Sequence, residues 1–330
     1  MKADIIQKLG IRNFGSGVAA YLRRNAGIMI GLVLVCIVIS IRSPIFLTQR
    51  NIMNVLRQIS TNMYLATSMT LILIAGGIDL SVGSALAVIG VLSGTLLLSG
   101  ISVPLVIIIC LIAGVFIGLI NGIIISRTTL PPFIVTFSMM SILRGTAYVY
   151  TGGVTARIDN PVFINLGTGY LGIVPLPVIY MLVIMFIVFL ILNKSALGRH
   201  IYATGGNERA AIYSGINVRR IRLFVYIFSG VMASVAGMTL AARSYSGNPI
   251  FGNGAEMDAI AACVLGGVSM NGDGGFIGGT FIGALIIGVL NNGLNLMGID
   301  SFWQTILKGV VILVAVYVDY LKSLKKAGIK

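Results

Sequence analysis

Residues 103–125 read VPLVIIICLIAGVFIGLINGIII, without a single charged side chain. A helix of about 20 apolar residues crosses the ~30 Å hydrocarbon core of a bilayer, so this stretch is a membrane span. Gly114, Gly118 and Gly122 recur at every fourth position, on one helical face. That spacing lets a second helix approach closely, where lipid supplies no hydrophobic drive for association. Gly279 with Gly283, and Gly288 with Asn292, repeat the device later in the chain.

The remainder has the same character. Of 330 residues, 57% are hydrophobic and 10% charged, with mean hydropathy +1.01. Soluble domains carry about 25% charged residues. The expected fold is an all-α integral membrane protein. Apolar runs place about ten transmembrane helices, at 26–41, 53–75, 82–99, 103–125, 132–150, 175–193, 222–243, 258–270, 275–297 and 302–319. The eighth is interrupted by Gly266-Gly267 and reads as a broken helix. Such a break is tolerated where protein covers the backbone or it lines a cavity. Residues 1–25 are expected as a cytoplasmic interfacial segment rather than a signal peptide. Residues 26–320 form the transmembrane domain, and 321–330 a cytoplasmic tail.

Cations set the orientation. With both termini in the cytoplasm, the inner side receives those of the two tails, Arg127, and Lys194, Arg199, Arg209, Arg219, Arg220 and Arg222 of the 194–221 loop and its edge. The outer side receives Arg42, Arg50, Arg57, Arg157 and Arg243, the first three on an interfacial segment around 43–57. The bias follows the positive-inside pattern. The net charge of +14 thus belongs to membrane edges and lipid headgroups. Without an aromatic-interleaved basic patch, no nucleic-acid partner is expected.

Several chemistries are excluded. Cys36, Cys110 and Cys263 stand singly in apolar runs, and His200 is the only histidine, so no metal site is expected. No GxxxxGK[ST] loop exists, so the chain holds no P-loop nucleotide. No nucleophile–base pair marks an enzyme.

The halves resemble each other. Ser141-Ile142-Leu143-Arg144-Gly145 matches Thr305-Ile306-Leu307-Lys308-Gly309. Ile117-Gly118-Leu119-Ile120-Asn121-Gly122 matches Ile287-Gly288-Val289-Leu290-Asn291-Asn292-Gly293, with one extra Asn. Ile78-Asp79 and Met257-Asp258 open the third and eighth spans, and Met69-Thr70-Leu71 recurs as Met238-Thr239-Leu240. Repeats of about 26–152 and 175–320 hold five spans each. An odd number makes the second inverted, a transporter design.

Polar residues inside the membrane are functional candidates. Asp79 and Ser81 either cap the third helix or gate a path. Asn121, Asp258, Asn291, Asn292 and Asn295 line that path or brace helices. Arg144 and Lys308, at matched repeat positions, brace helices or snorkel to an interface.

The segment Gly205-Gly206-Asn207-Glu208-Arg209-Ala210-Ala211-Ile212-Tyr213-Ser214-Gly215 is a short polar helix signal among basic loops. Asn207 caps its start and Gly215 ends it in a left-handed turn. Its definition suits a lever for a soluble partner.

At Gly77-Ile78-Asp79-Leu80-Ser81-Val82-Gly83-Ser84, Leu197 to Glu208, Met257 to Ala262, Leu265 to Ser269 and Asn291 to Leu296, the chain resembles the ribose-type sugar permeases of bacterial ABC importers. The resemblance covers about residues 27–320. It implies a multi-pass protein of the bacterial cell membrane that works as a homodimer. It also implies a cytoplasmic ATPase with two P-loop halves, which binds ATP and magnesium so that no cofactor sits in this chain. An extracytoplasmic sugar-binding protein would land on 151–174 and 244–257. The 203–217 segment would dock on the ATPase. It is only loosely similar to the Glu-Ala-Ala loop of ABC importers, because no Leu-Pro pair follows Gly215. The implied function is ATP-driven monosaccharide import, with ribose favoured. The competing class is an ion-coupled secondary transporter of a small polar solute, which would need ionisable or carbonyl-lined ion sites at mid-membrane, where this chain has no carboxylate.

Overall fold

The computed structural model describes residues 26–270, 272, 274–300, 302–310, 313, 314 and 317. The expected 1–25 segment and 321–330 tail lie outside them. The described chain runs α1 (Ala26–Arg42), α2 (Gln49–Ile74), α3 (Val82–Leu98), α4 (Val103–Arg127), α5 (Pro132–Thr151), β1 (Ala156–Arg157), α6 (Pro161–Thr168), β2 (Tyr170–Leu171) and β3 (Val174–Pro175). It continues through α7 (Leu176–Lys194), α8 (Ala196–Gly206), α9 (Glu208–Tyr213), α10 (Val218–Arg243), β4 (Ser246–Gly247), α11 (Ala255–Leu265) and α12 (Ile277–Leu296). Residues 302–310 are again helical.

Among the described residues five helices, α4, α5, α7, α10 and α12, are long and apolar enough to cross a membrane. α4, α5 and α7 leave large apolar side chains outside, among them Ile108, Ile112, Phe116, Phe133, Phe186 and Phe189. In water these would form a costly patch; in lipid they are solvated.

α2 and α10 form the centre, and most of the C-terminal part of α2 is buried. The glycine stripe of α4 faces α10. A Cβ at Gly114 would strike Ser234 and the Gly230 carbonyl, one at Gly118 the Tyr226 carbonyl, and one at Gly122 Leu223. The two backbones therefore touch, as the four-residue spacing predicts. The same holds for α12, where Gly279 and Gly283 meet Gly266 and Ala262. The pairing alternates between halves: α10 packs on α3 and α4, while α2 packs on α11 and α12.

Two sequence expectations change. The eighth span begins earlier and stops sooner than expected: α11 starts at Ala255 and stops at Leu265, with the expected break at Gly266-Gly267. Its 11 residues reach about 16 Å, half the hydrocarbon core. Left-handed Gly254 precedes it, and left-handed Gly267 breaks the chain after it. Within the 43–57 stretch the helix of the second span already begins at Gln49. Thr48 caps α2 by accepting from the Asn51 amide, so Arg50 and Arg57 ride on the first turns of α2.

The segments 151–174 and 244–257 come together. β1 pairs antiparallel with β4, Ala156 opposite Gly247. Asn160 caps α6 through the amides of Val162 and Phe163, and Phe163 is buried against the bundle.

Candidate functional site

The polar helix signal folds as expected. Asn207 has extended backbone, and its Oδ1 accepts from the Ala210 amide at 3.0 Å, capping α9. Ser214 ends α9, and Gly215 follows at φ 79°. Ala211 is buried, anchoring the helix. Glu208 also serves within the chain: its carboxylate accepts from Arg222 of α10 at 2.6 Å. Within the chain it clamps α9 to the first turn of α10. What α9 offers outward is Tyr213, 90% exposed, and Ile212, 54% exposed. Arg209 and Ala210 are exposed beside them. A groove of about 780 Å³ runs between Ile212, Ile216 and the 128–132 turn.

The end of α8 connects this surface to the bundle. A Cβ at Gly205 would collide with the Ile74 carbonyl at the end of α2, and Gly272 abuts Gly205 from the other side. Tyr202 Oη donates to the Gly275 carbonyl at 2.7 Å. So one helix end touches both loops that precede or follow a short helix, 75–81 and 266–275. Gly206 has open space around it.

Asp79 sits in the first of these loops, 3% exposed. Its Oδ1 accepts from the Ser81 amide at 2.9 Å and the Ser81 hydroxyl at 2.6 Å, and its Oδ2 from the Ser229 hydroxyl at 2.8 Å. Asn121 Nδ2 donates to Ser81 Oγ at 2.9 Å. Tyr226 Oη donates to the Ile78 carbonyl at 3.0 Å. The expected helix cap is absent: Ser81 precedes α3 with no capping side-chain bond, and Asp79 spends its oxygens on serines instead. The network ties the α2–α3 turn to α4 and α10. The space between these residues has no room for a water.

The remaining polar candidates divide. Asn292 and Asn51 exchange amide hydrogen bonds at 2.9 and 3.1 Å, locking α12 to α2. Asn295 Oδ1 accepts from Gln304 Nε2 at 2.8 Å. Arg144 donates to the carbonyls of Pro249 and Phe251, bracing the turn before α11. Lys308 Nζ meets Asp258 Oδ2 at 3.0 Å. Asp258 and Lys308 reach one cavity of about 210 Å³ together with Asn291. Its other polar walls, Gln58, Thr61, Asn62, Arg243 and Asn253, were not singled out from sequence. The signal was there: a helix with polar residues at 58, 61 and 62 inside a span presents one polar face. Nothing local says what that face meets. Among the described residues no cluster of three or more His, Cys, Asp or Glu could hold a metal.

A family model described as branched-chain amino acid transport system / permease component matches residues 51–316. The chain is 44% identical over 302 residues to the ribose import permease protein RbsC of Bacillus subtilis (strain 168), covering 91% of this chain and 94% of that protein. It is 36% identical to the L-arabinose ABC transporter permease protein AraH of Azospirillum brasilense, over 95% and 92% of the two chains. It is 32% identical to the xylose transport system permease protein XylH of Escherichia coli (strain K12), over 83% and 86%. No solved structure matches. With a family model spanning most of its length and relatives well above 30% identity along nearly all of it, the chain belongs to this family of ABC transport permeases, membrane proteins of importers.

Proposed function

We propose that the chain is the membrane subunit of an ATP-driven importer of a pentose, ribose first. The observation that carries this is the 44% identity to a ribose import permease along 91% of the chain. The relatives named for L-arabinose and xylose support a pentose. The ion-coupled alternative gains no support from any of them.

The reading gives each part a task. Two copies form the channel in the bacterial cell membrane, with α9 and both termini on the cytoplasmic side. An ATPase with two P-loop halves takes Ile212 and Tyr213 of each copy. A sugar-binding protein lands on the paired 151–174 and 244–257 segments. The ten predicted crossings form two inverted halves. The alternate pairing of α10 with α3 and α4, and of α2 with α11 and α12, supports this. So does the matched pair Asn121 and Asn291, both buried with Oδ1 unpartnered. In this scheme α9 moves with the ATPase, and Gly205 passes the motion to the loops flanking α3 and α11.

The test is ATP hydrolysis by the permease assembled with such an ATPase in nanodiscs. Ribose-loaded binding protein should stimulate it, and leucine-loaded amino-acid-binding protein should not. Stimulation by leucine alone would assign the chain to amino-acid import instead.

A further inference from the structure

We propose that the cavity between α2, α10, α11 and α12 is a monosaccharide site in the permease itself, holding one neutral pentose after its release from the binding protein; this rests on the sugar-import reading above. At about 210 Å³ the cavity has room for about seven waters at ~30 Å³ each, which suits a single sugar ring.

Two polar atoms point to a missing ligand. Thr61 is 5% exposed and Asn291 8% exposed, and both line the cavity. Thr61 Oγ1 and Asn291 Oδ1 have no hydrogen-bond partner. Buried polar atoms are ordinarily paired. A hydroxyl both gives and accepts a proton, and an amide oxygen accepts one. A sugar hydroxyl answers both. Gln58 and Asn62 stand one turn apart on the same helix wall, and Asn253 and Asn291 add polar groups from other elements. Leu86 and Leu240 supply apolar wall for the sugar's C–H face. The lining is mostly polar, as a ligand rich in hydroxyls requires.

The charged groups lining the cavity bond within the chain, and the unpartnered Thr61 and Asn291 are neutral. Asp258 and Lys308 answer each other at 3.0 Å, and Arg243 donates through Nη1 to the Arg57 carbonyl at 3.3 Å. Entry is from the end away from α9, where the exposed Asn253 forms the rim.

The experiment uses the full chain with Cys36, Cys110 and Cys263 replaced and Asn253→Cys added, assembled with the ATPase but without binding protein. Millimolar ribose should slow maleimide labelling of the introduced thiol, and sucrose or galacturonate should not. In the complete importer, Thr61→Val and Asn291→Leu should each lower sugar delivered per ATP hydrolysed about tenfold, the effect of one lost hydrogen bond. Thr61→Ser should restore it. If the parent importer moves ribose but labelling is unprotected, or both variants deliver the parent's sugar per ATP, the cavity is no sugar site and the import reading stands. Protection by galacturonate alone overturns the neutral-sugar assignment. An importer that moves no pentose at all removes the reading underneath. The labelling arm leaves Thr61 and Asn291 intact, so it decides the matter even if those variants fold poorly.

Discussion

Asp79 carries a buried carboxylate whose oxygens go to Ser81 and Ser229, with no cation paired to it among the described residues. The network spans three elements, so the residue acts as a brace between the α2–α3 turn and α10. Asp79→Ala removes both acceptors and strands two buried hydroxyls. The expected loss is about 1–3 kcal/mol of stability. Asp79→Asn keeps one acceptor and should lose less. Thermal unfolding in detergent measures both. Uptake normalised to folded permease then separates brace from gate: a loss in Asp79→Asn at unchanged stability marks a gate, while unchanged uptake leaves only the brace. Gly215 is the other decisive single position. Its φ of 79° has open space around it, so a side chain there is opposed by backbone alone. A left-handed conformation costs an L-residue about 1–2 kcal/mol, and a β-branched one more. Gly215→Val should leave the bundle folded, misplace α9 and lower ATP-dependent uptake. Normal uptake would mean that α9 tolerates a different exit.

At the scale of elements, α9 and α8 make separable predictions. If α9 docks by Ile212 and Tyr213, Tyr213→Ala should weaken ATPase association by about 2 kcal/mol, roughly 30-fold. Co-purification or titration in nanodiscs measures it, and unchanged affinity would move the docking surface elsewhere. Gly205→Val tests transmission instead. The new side chain would push against the Ile74 carbonyl, so the ATPase should still bind while sugar delivered per ATP falls. Lost binding in that variant would mean that α8 shapes the docking surface directly. Much of this was legible in sequence. Long apolar runs announce spans because nothing else supports 20 such residues in a row. Asn207 and Gly215 announced α9 by cap chemistry. The same signals mark α6, with Asn160 before Pro161, and α8, with Ser195 before its first turn and paired glycines at its end. Both hid in stretches read as loops because their apolar periodicity is short. α11 was misplaced by three residues at its start, because its limits come from left-handed Gly254 and Gly267 rather than from composition. The cavity was least legible: Thr61 and Asn291 are 230 positions apart, and only packing joins them.

For the whole molecule, orientation and energy source are the questions. A cysteine replacing exposed Asn165 on α6 should react with an impermeant thiol reagent from outside intact cells, and one replacing Tyr213 only after the membrane is opened. Both need the background without Cys36, Cys110 and Cys263. Labelling of both from one side would contradict an arrangement with an odd number of crossings between them. The central claim is that ATP drives a pentose through this chain. The measurement that meets it most directly is accumulation of labelled ribose in proteoliposomes holding the permease and its ATPase. Binding protein sits outside, ATP is trapped inside, and sodium and proton gradients are collapsed. The account predicts accumulation above the outside concentration that stops when ATP is replaced by a non-hydrolysable analogue. Ribose accumulation driven by an ion gradient without ATP would contradict it.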